Sequence, residues 1–112
     1  MLVRMMTVTA LAHTAGDTAG LFWLSRRLIG EHEAAPVGHG QFVLRLGSAT
    51  TVLLTELDDV LRLDAVVGDE LSVRRARRDI EQALSVRAGG AVSMIAWETS
   101  PAETPAPFVA TA

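Results

Sequence analysis

Cysteine, lysine, tyrosine and asparagine are absent from the 112-residue chain. Without cysteine there is no disulfide, no thiolate nucleophile, no iron–sulfur cluster and no cysteine zinc site. Without lysine there is neither Schiff-base chemistry nor a P-loop, and without tyrosine there is no phenolic acid. No apolar run approaches the ~18 residues of a membrane span. All ten basic residues are arginine and thirteen acids outnumber them, so a formal charge of −3 gives no overall attraction to nucleic acid. The groups left for acid–base or binding chemistry are His13, His32, His39, the carboxylates, the arginines and the hydroxyls.

What is present is enough apolar sequence, 49% of the residues, for one hydrophobic core in one domain. Residues 5 to 13 alternate loosely and suggest a strand. Asp17 can cap a helix whose stripe Leu21, Leu24, Ser25 and Leu28 follows i, i+3, i+4, i+7, and Gly30 suits its C-terminal end. Pro36, Gly38 and Gly40 argue against any regular element over residues 31 to 40. Three strands follow over 41–46, 50–57 and 60–67, separated by turns at Gly47-Ser48 and Asp58-Asp59. A helix over about 71–87 would bury Val73, Ala76, Ile80, Ala83 and Leu84, with Gly89-Gly90 stopping it before a last strand over 91–98. The expected fold is a two-layer α+β sandwich of order β-α-β-β-β-α-β, with two helices on one face of a mainly antiparallel sheet. Residues 1–98 form the domain, and the Pro/Ala/Thr-rich 99–112 are expected to be disordered.

The densest charge signal is Arg74-Arg75-Ala76-Arg77-Arg78, which in isolation suggests a polyanion site. Asp69, Glu70, Asp79 and Glu81 flank it, and the spacings Glu70–Arg74, Arg75–Asp79 and Arg77–Glu81 are those of ion pairs along a helix. The expectation is a solvated helix face, with no nucleic-acid and no membrane partner. Arg4, an apolar stretch and Ala10-Leu11-Ala12 imitate a signal-peptidase site, but twelve residues fall short of the usual ~15 to 30, so the expected location is cytoplasmic.

His32, Glu33 and His39 are the candidate proton carriers. Their spacing is not that of a helical zinc motif, so neither a metal nor another cofactor is expected. Trp23, off the main helix stripe, Arg26 beside it, Arg45 on the second face of its strand and Trp97 in the last strand are the candidate ligand contacts. The strands carry apolar residues on both faces, for example Val52 and Leu54 opposite Leu53 and Leu57, and two helices cover only one face. The other face calls for a second copy of the chain or a small organic molecule.

Three segments, Leu61-Arg62-Leu63-Asp64-Ala65, Ile80-Glu81-Gln82-Ala83-Leu84 and Met94-Ile95-Ala96-Trp97, carry a resemblance over residues 7 to about 98. They resemble a family of small actinobacterial and proteobacterial domains of unknown function that occur beside, or fused to, siderophore-interacting flavin reductases. The arginine-only, alanine-rich composition resembles that of proteins from high-GC bacteria. The family commonly shows a histidine late in its first helix and a His-Leu pair late in its second. Here Glu31 and His32 straddle the first position and Ala83 occupies the second. The resemblance implies a link to iron–siderophore or other small-molecule metabolism and assigns no catalytic residue. The functional expectation is a small-ligand-binding or accessory homodimer in specialised metabolism. The alternative is a cofactor-independent cyclase or isomerase with a His or carboxylate as acid/base.

Overall fold

Alternation of small and branched residues builds β1 (Met6–His13), with Val8, Ala10 and Ala12 fully buried on one side and Thr7, Thr9, Leu11 and His13 on the other. The computed structural model describes residues 5–14, 19–47, 50–88 and 92–101. After β1 come α1 (Ala19–Glu31), β2 (Glu33–Gly38), β3 (Gln41–Leu46), β4 (Thr50–Glu56), β5 (Val60–Val67), α2 (Glu70–Ala88) and β6 (Met94–Pro101). The six strands form one antiparallel sheet in the order β2-β3-β4-β5-β1-β6. The path β1-α1-β4-β5-α2-β6 has the connectivity of a ferredoxin-like split β-α-β unit, extended at one edge by the hairpin β2-β3. Both helices pack on one face, so the α+β sandwich expected from the sequence is the fold.

The expectation that residues 31 to 40 lack regular structure is corrected by β2, which adds a strand to the expected order. Proline and glycine break helices and central strands. An edge strand tolerates them, because the missing N–H of Pro36 faces away from the ladder. The hairpin turns at His39-Gly40, where Gly40 takes φ 68°, a value costly for any residue with a Cβ. Helix α1 runs one residue past Gly30, which does not adopt the left-handed conformation. Thr99, Ser100 and Pro101, expected in the tail, belong to β6 and pair with β1. Asp17 as a cap, Ser48 in its turn, Gly89-Gly90 as a helix stop and the tail beyond residue 101 lie outside the described residues. Ala10-Leu11-Ala12, the signal-like triplet, sits in a central strand paired on both sides.

The covered face is organised by one row across all six strands, Pro36-Phe42-Leu54-Leu63-Ala10-Trp97. Leu21, Leu24, Ser25 and Leu28 are the buried residues of α1, as their spacing predicts. From α2, Ala76, Ile80 and Leu84 enter the core fully, while Val73 and Ala83 are half-buried. Arg74, Arg75, Arg77 and Arg78 of α2 face solvent, but none of the three expected ion pairs forms within that helix among the described residues. Asp79 turns instead to the sheet, where Thr50 Oγ1 donates to Oδ2 at 2.6 Å. Gly47, at φ 60°, leaves room for that carboxylate, since a Cβ there would meet Oδ2 at 3.1 Å. Arg77 lies over the Trp97 ring at 4.9 Å. Among the described residues no helix is long and apolar enough to cross a membrane.

Two outcomes check this arrangement. Ile80→Ala should cost about 2–5 kcal/mol in urea unfolding, whereas Leu71→Ala, at a position 67% exposed, should stay within about 0.5 kcal/mol. Asp69 starts α2 by accepting the Ser72 backbone N–H at 2.7 Å, and that bond, then the Ser72 hydroxyl, holds its carboxyl below the ordinary value. A folded value below the unfolded one stabilises the protein above pH 3.8 and loses that contribution as pH falls through the lowered value. The melting temperature of Asp69→Ala should therefore lie below wild type at pH 7, with the gap closing in strong acid.

Candidate functional site on the helix-free face

Register places two rows of side chains on the face that carries no helix. The first is Ala35-Val43-Leu53-Asp64-Thr9-Glu98, and the second, two residues along each strand, is Gln41-Thr55-Arg62-Leu11-Ala96. With strands about 4.8 Å apart, Asp64 and Arg62 occupy the middle of this face on β5. An aspartate is unfavourable inside a strand and costly when buried without partners. Asp64 is only 7% exposed, and both its oxygens are engaged. Thr9 Oγ1 donates to Oδ1 at 2.5 Å from the facing position on β1, and Arg62 Nε donates to Oδ2 at 2.9 Å. The Arg62 side chain is half-exposed.

Beside this centre the face is mixed in chemistry. Gln41 Nε2 donates to Thr55 Oγ1 at 3.4 Å, and half-buried Leu11, Val43 and Ala96 lie among the polar groups. At the β2 edge an open depression of about 510 Å³ is lined in part by Glu33, Val43, Arg45 and Thr51. Arg45 and Glu33 pair loosely across the hairpin at 3.7 Å. The surface is therefore wetter than the second apolar face read from the strands, which counted Leu53 and Leu57. Leu53 is buried between its neighbours, and Leu57 lies past the end of β4.

The residues singled out in the sequence separate onto different surfaces. His32 follows α1 and turns Nδ1 back to the Leu28 carbonyl at 3.0 Å, which places a proton on that nitrogen. Glu33 opens β2, whereas His39 sits exposed in the turn at the other end of the same hairpin. Six residues of strand amount to roughly 20 Å, so His32 and Glu33 do not meet His39 in one catalytic group. Trp23, 68% exposed, projects from α1. Arg26 lies on the same helix, with its guanidinium 4.8 Å from the Phe22 ring and 5.6 Å from Phe42. Rather than being free in solvent, Arg26 bonds both oxygens of Glu56 at 3.1 and 3.2 Å, and buried Ser25 donates to the same carboxylate at 2.6 Å. Trp97 packs under α2 and borders a separate depression of about 400 Å³ between α2 and β6. Of the seven residues, Glu33 and Arg45 fall on the helix-free face. Among the described residues no group of three or more His, Cys, Asp or Glu is placed to hold a metal ion.

Two features are not local in the sequence. The outward direction of Arg62 and Asp64 follows from strand alternation, but the burial of Asp64 depends on Thr9, 55 positions away. The available signal was an acid inside the apolar run from Val60 to Val67. Ser25 inside an apolar helix stripe was the equivalent signal for Glu56.

The fold and the site together define an α+β sandwich with one partly polar sheet face that carries no helix among the described residues. Comparison with protein-family models, curated proteins and solved structures returned no match.

Thr9→Val removes one donor from a buried carboxylate and should cost about 1–3 kcal/mol in urea unfolding. Thr9→Val combined with Asp64→Leu removes both partners and should recover most of that loss.

Proposed function

We propose that the protein is a small-ligand-binding or accessory homodimer whose helix-free sheet faces enclose the ligand. The observation that carries this reading is the Thr9–Asp64–Arg62 network, an ordered polar centre on the sheet face that neither helix covers among the described residues. Binding sites combine apolar walls with a few oriented polar groups, and Leu11 and Ala96, in the same row as Arg62, supply that mixture. A second copy laid over the same face would exclude water from it, and closed two-fold pairing is the commonest way an uncovered surface is buried. The resemblance in the segments at 61–65, 80–84 and 94–97 inclines the reading towards siderophore-linked or other specialised metabolism in the bacterial cytoplasm.

The alternative, a cofactor-independent cyclase or isomerase, needs a proton carrier near the bound substrate. Of His32, Glu33 and His39, only Glu33 falls on the helix-free face, at its β2 edge three strands from Arg62, and both Asp64 oxygens already accept hydrogen bonds. These placements favour binding over turnover.

Light scattering should give a mass about twice the 11.9 kDa of one chain, and small organic ligands should raise the melting temperature. A strict monomer with no thermal shift from any candidate small molecule would remove the reading. Loss of turnover on replacing His32, Glu33 or His39 would restore the enzymatic alternative.

A further inference from the structure

The charge of the ligand follows from how Arg62 is held, an inference that rests on the helix-free face being the ligand surface. Arginine carries five N–H donors in a planar fork. At Arg62 the Nε–H is taken by Asp64 Oδ2 at 2.9 Å, and Thr9 fixes the other carboxylate oxygen at 2.5 Å. Asp64 is nearly inaccessible and sits on a central strand, so it orients the guanidinium from a rigid base. The donors on Nη1 and Nη2 have no protein partner among the described residues, and the side chain is 49% exposed. Leu11 and Ala96 continue the same row beside it, and Thr55 faces it from β4.

We propose that Arg62 is the anion receptor of this face, taking the carboxylate of a small organic acid on Nη1 and Nη2 while the apolar body of the acid lies along Leu11 and Ala96. A pre-oriented guanidinium edge matches a planar carboxylate with two parallel hydrogen bonds. One guanidinium already paired with one carboxylate suits a monoanion better than a phosphate dianion. Asp64 acts as a positioning residue: it fixes the fork and does not touch the ligand.

The experiment is an NMR titration of the full chain with benzoate, and with benzamide as its neutral analogue. Benzoate should shift the Arg62 Nε–H, Leu11 methyl and Ala96 methyl signals, and benzamide should bind them far more weakly. Arg62→Gln should lower benzoate affinity roughly tenfold or more, with its melting temperature showing that the fold is kept. Arg62→Lys should recover the charge but only part of the affinity. Asp64→Asn should weaken benzoate binding and broaden the Arg62 Nε–H signal, an effect absent if the pair only stabilises the fold. Equal binding of both probes on this face, or benzoate binding unchanged by Arg62→Gln, would overturn the anion assignment and leave the ligand surface standing. No shift on the face from either probe, together with a monomeric protein, would remove the ligand surface as well.

Discussion

Everything in this molecule depends on β1 being hydrogen-bonded on both sides. Its eight residues pair with β5 along one edge and with β6 along the other. That double pairing joins the first strand, the central hairpins and the last strand into one sheet. It also fixes which side chains meet: Ala10 falls between Leu63 and Trp97 on the covered face, and Thr9 falls between Asp64 and Glu98 on the other. A slip of one residue would exchange those two sets and bury the threonines under the helices.

Among the described residues three carboxylates on the sheet or facing it each accept a hydrogen bond from a side-chain hydroxyl, and their positions differ. Ser25 and Arg26 bind Glu56, tying α1 to the end of β4. Thr50 binds Asp79, tying α2 to the start of β4. Both lie on the covered face and hold a helix in place, and each buried polar group there finds a partner, which removes the desolvation cost it would otherwise carry. The third, Thr9–Asp64–Arg62, has no helix to hold. It spends a buried carboxylate on orienting one arginine at the middle of the face that carries no helix among the described residues, and the proposed function rests on that difference.

Much of this was legible in local pattern and some of it could not be. The α1 stripe through Leu21, Leu24, Ser25 and Leu28, the α2 face through Ala76, Ile80 and Leu84, and the strands β3 to β5 each obey a period that reports burial directly. β2 obeys none, because an edge strand with only one neighbour left most of its residues exposed and accepted Pro36. The charges on α2 gave the right face but the wrong partners: Asp79 reaches Thr50 and Arg77 reaches Trp97, both distant in sequence. The site was half-legible for the same reason. Alternation turns Arg62 and Asp64 outward, but register decides that Thr9 stands opposite Asp64. The candidate residues at 32, 33 and 39 are close in sequence, but the extended β2 strand between them holds His39 apart from the other two.

The central claim is that Asp64 fixes the Arg62 fork, and proton exchange at the arginine Nε–H groups tests it most directly. Among the described ion-paired arginines, Arg26, Arg27 and Arg45 pair through terminal nitrogens, and only Arg62 pairs through Nε. Its Nε–H should exchange with solvent more slowly than that of any other ion-paired arginine in the chain, and Asp64→Asn should raise the rate to that of solvent-facing Arg74 or Arg78. An Arg62 rate already equal to those two in the wild-type protein would contradict the claim.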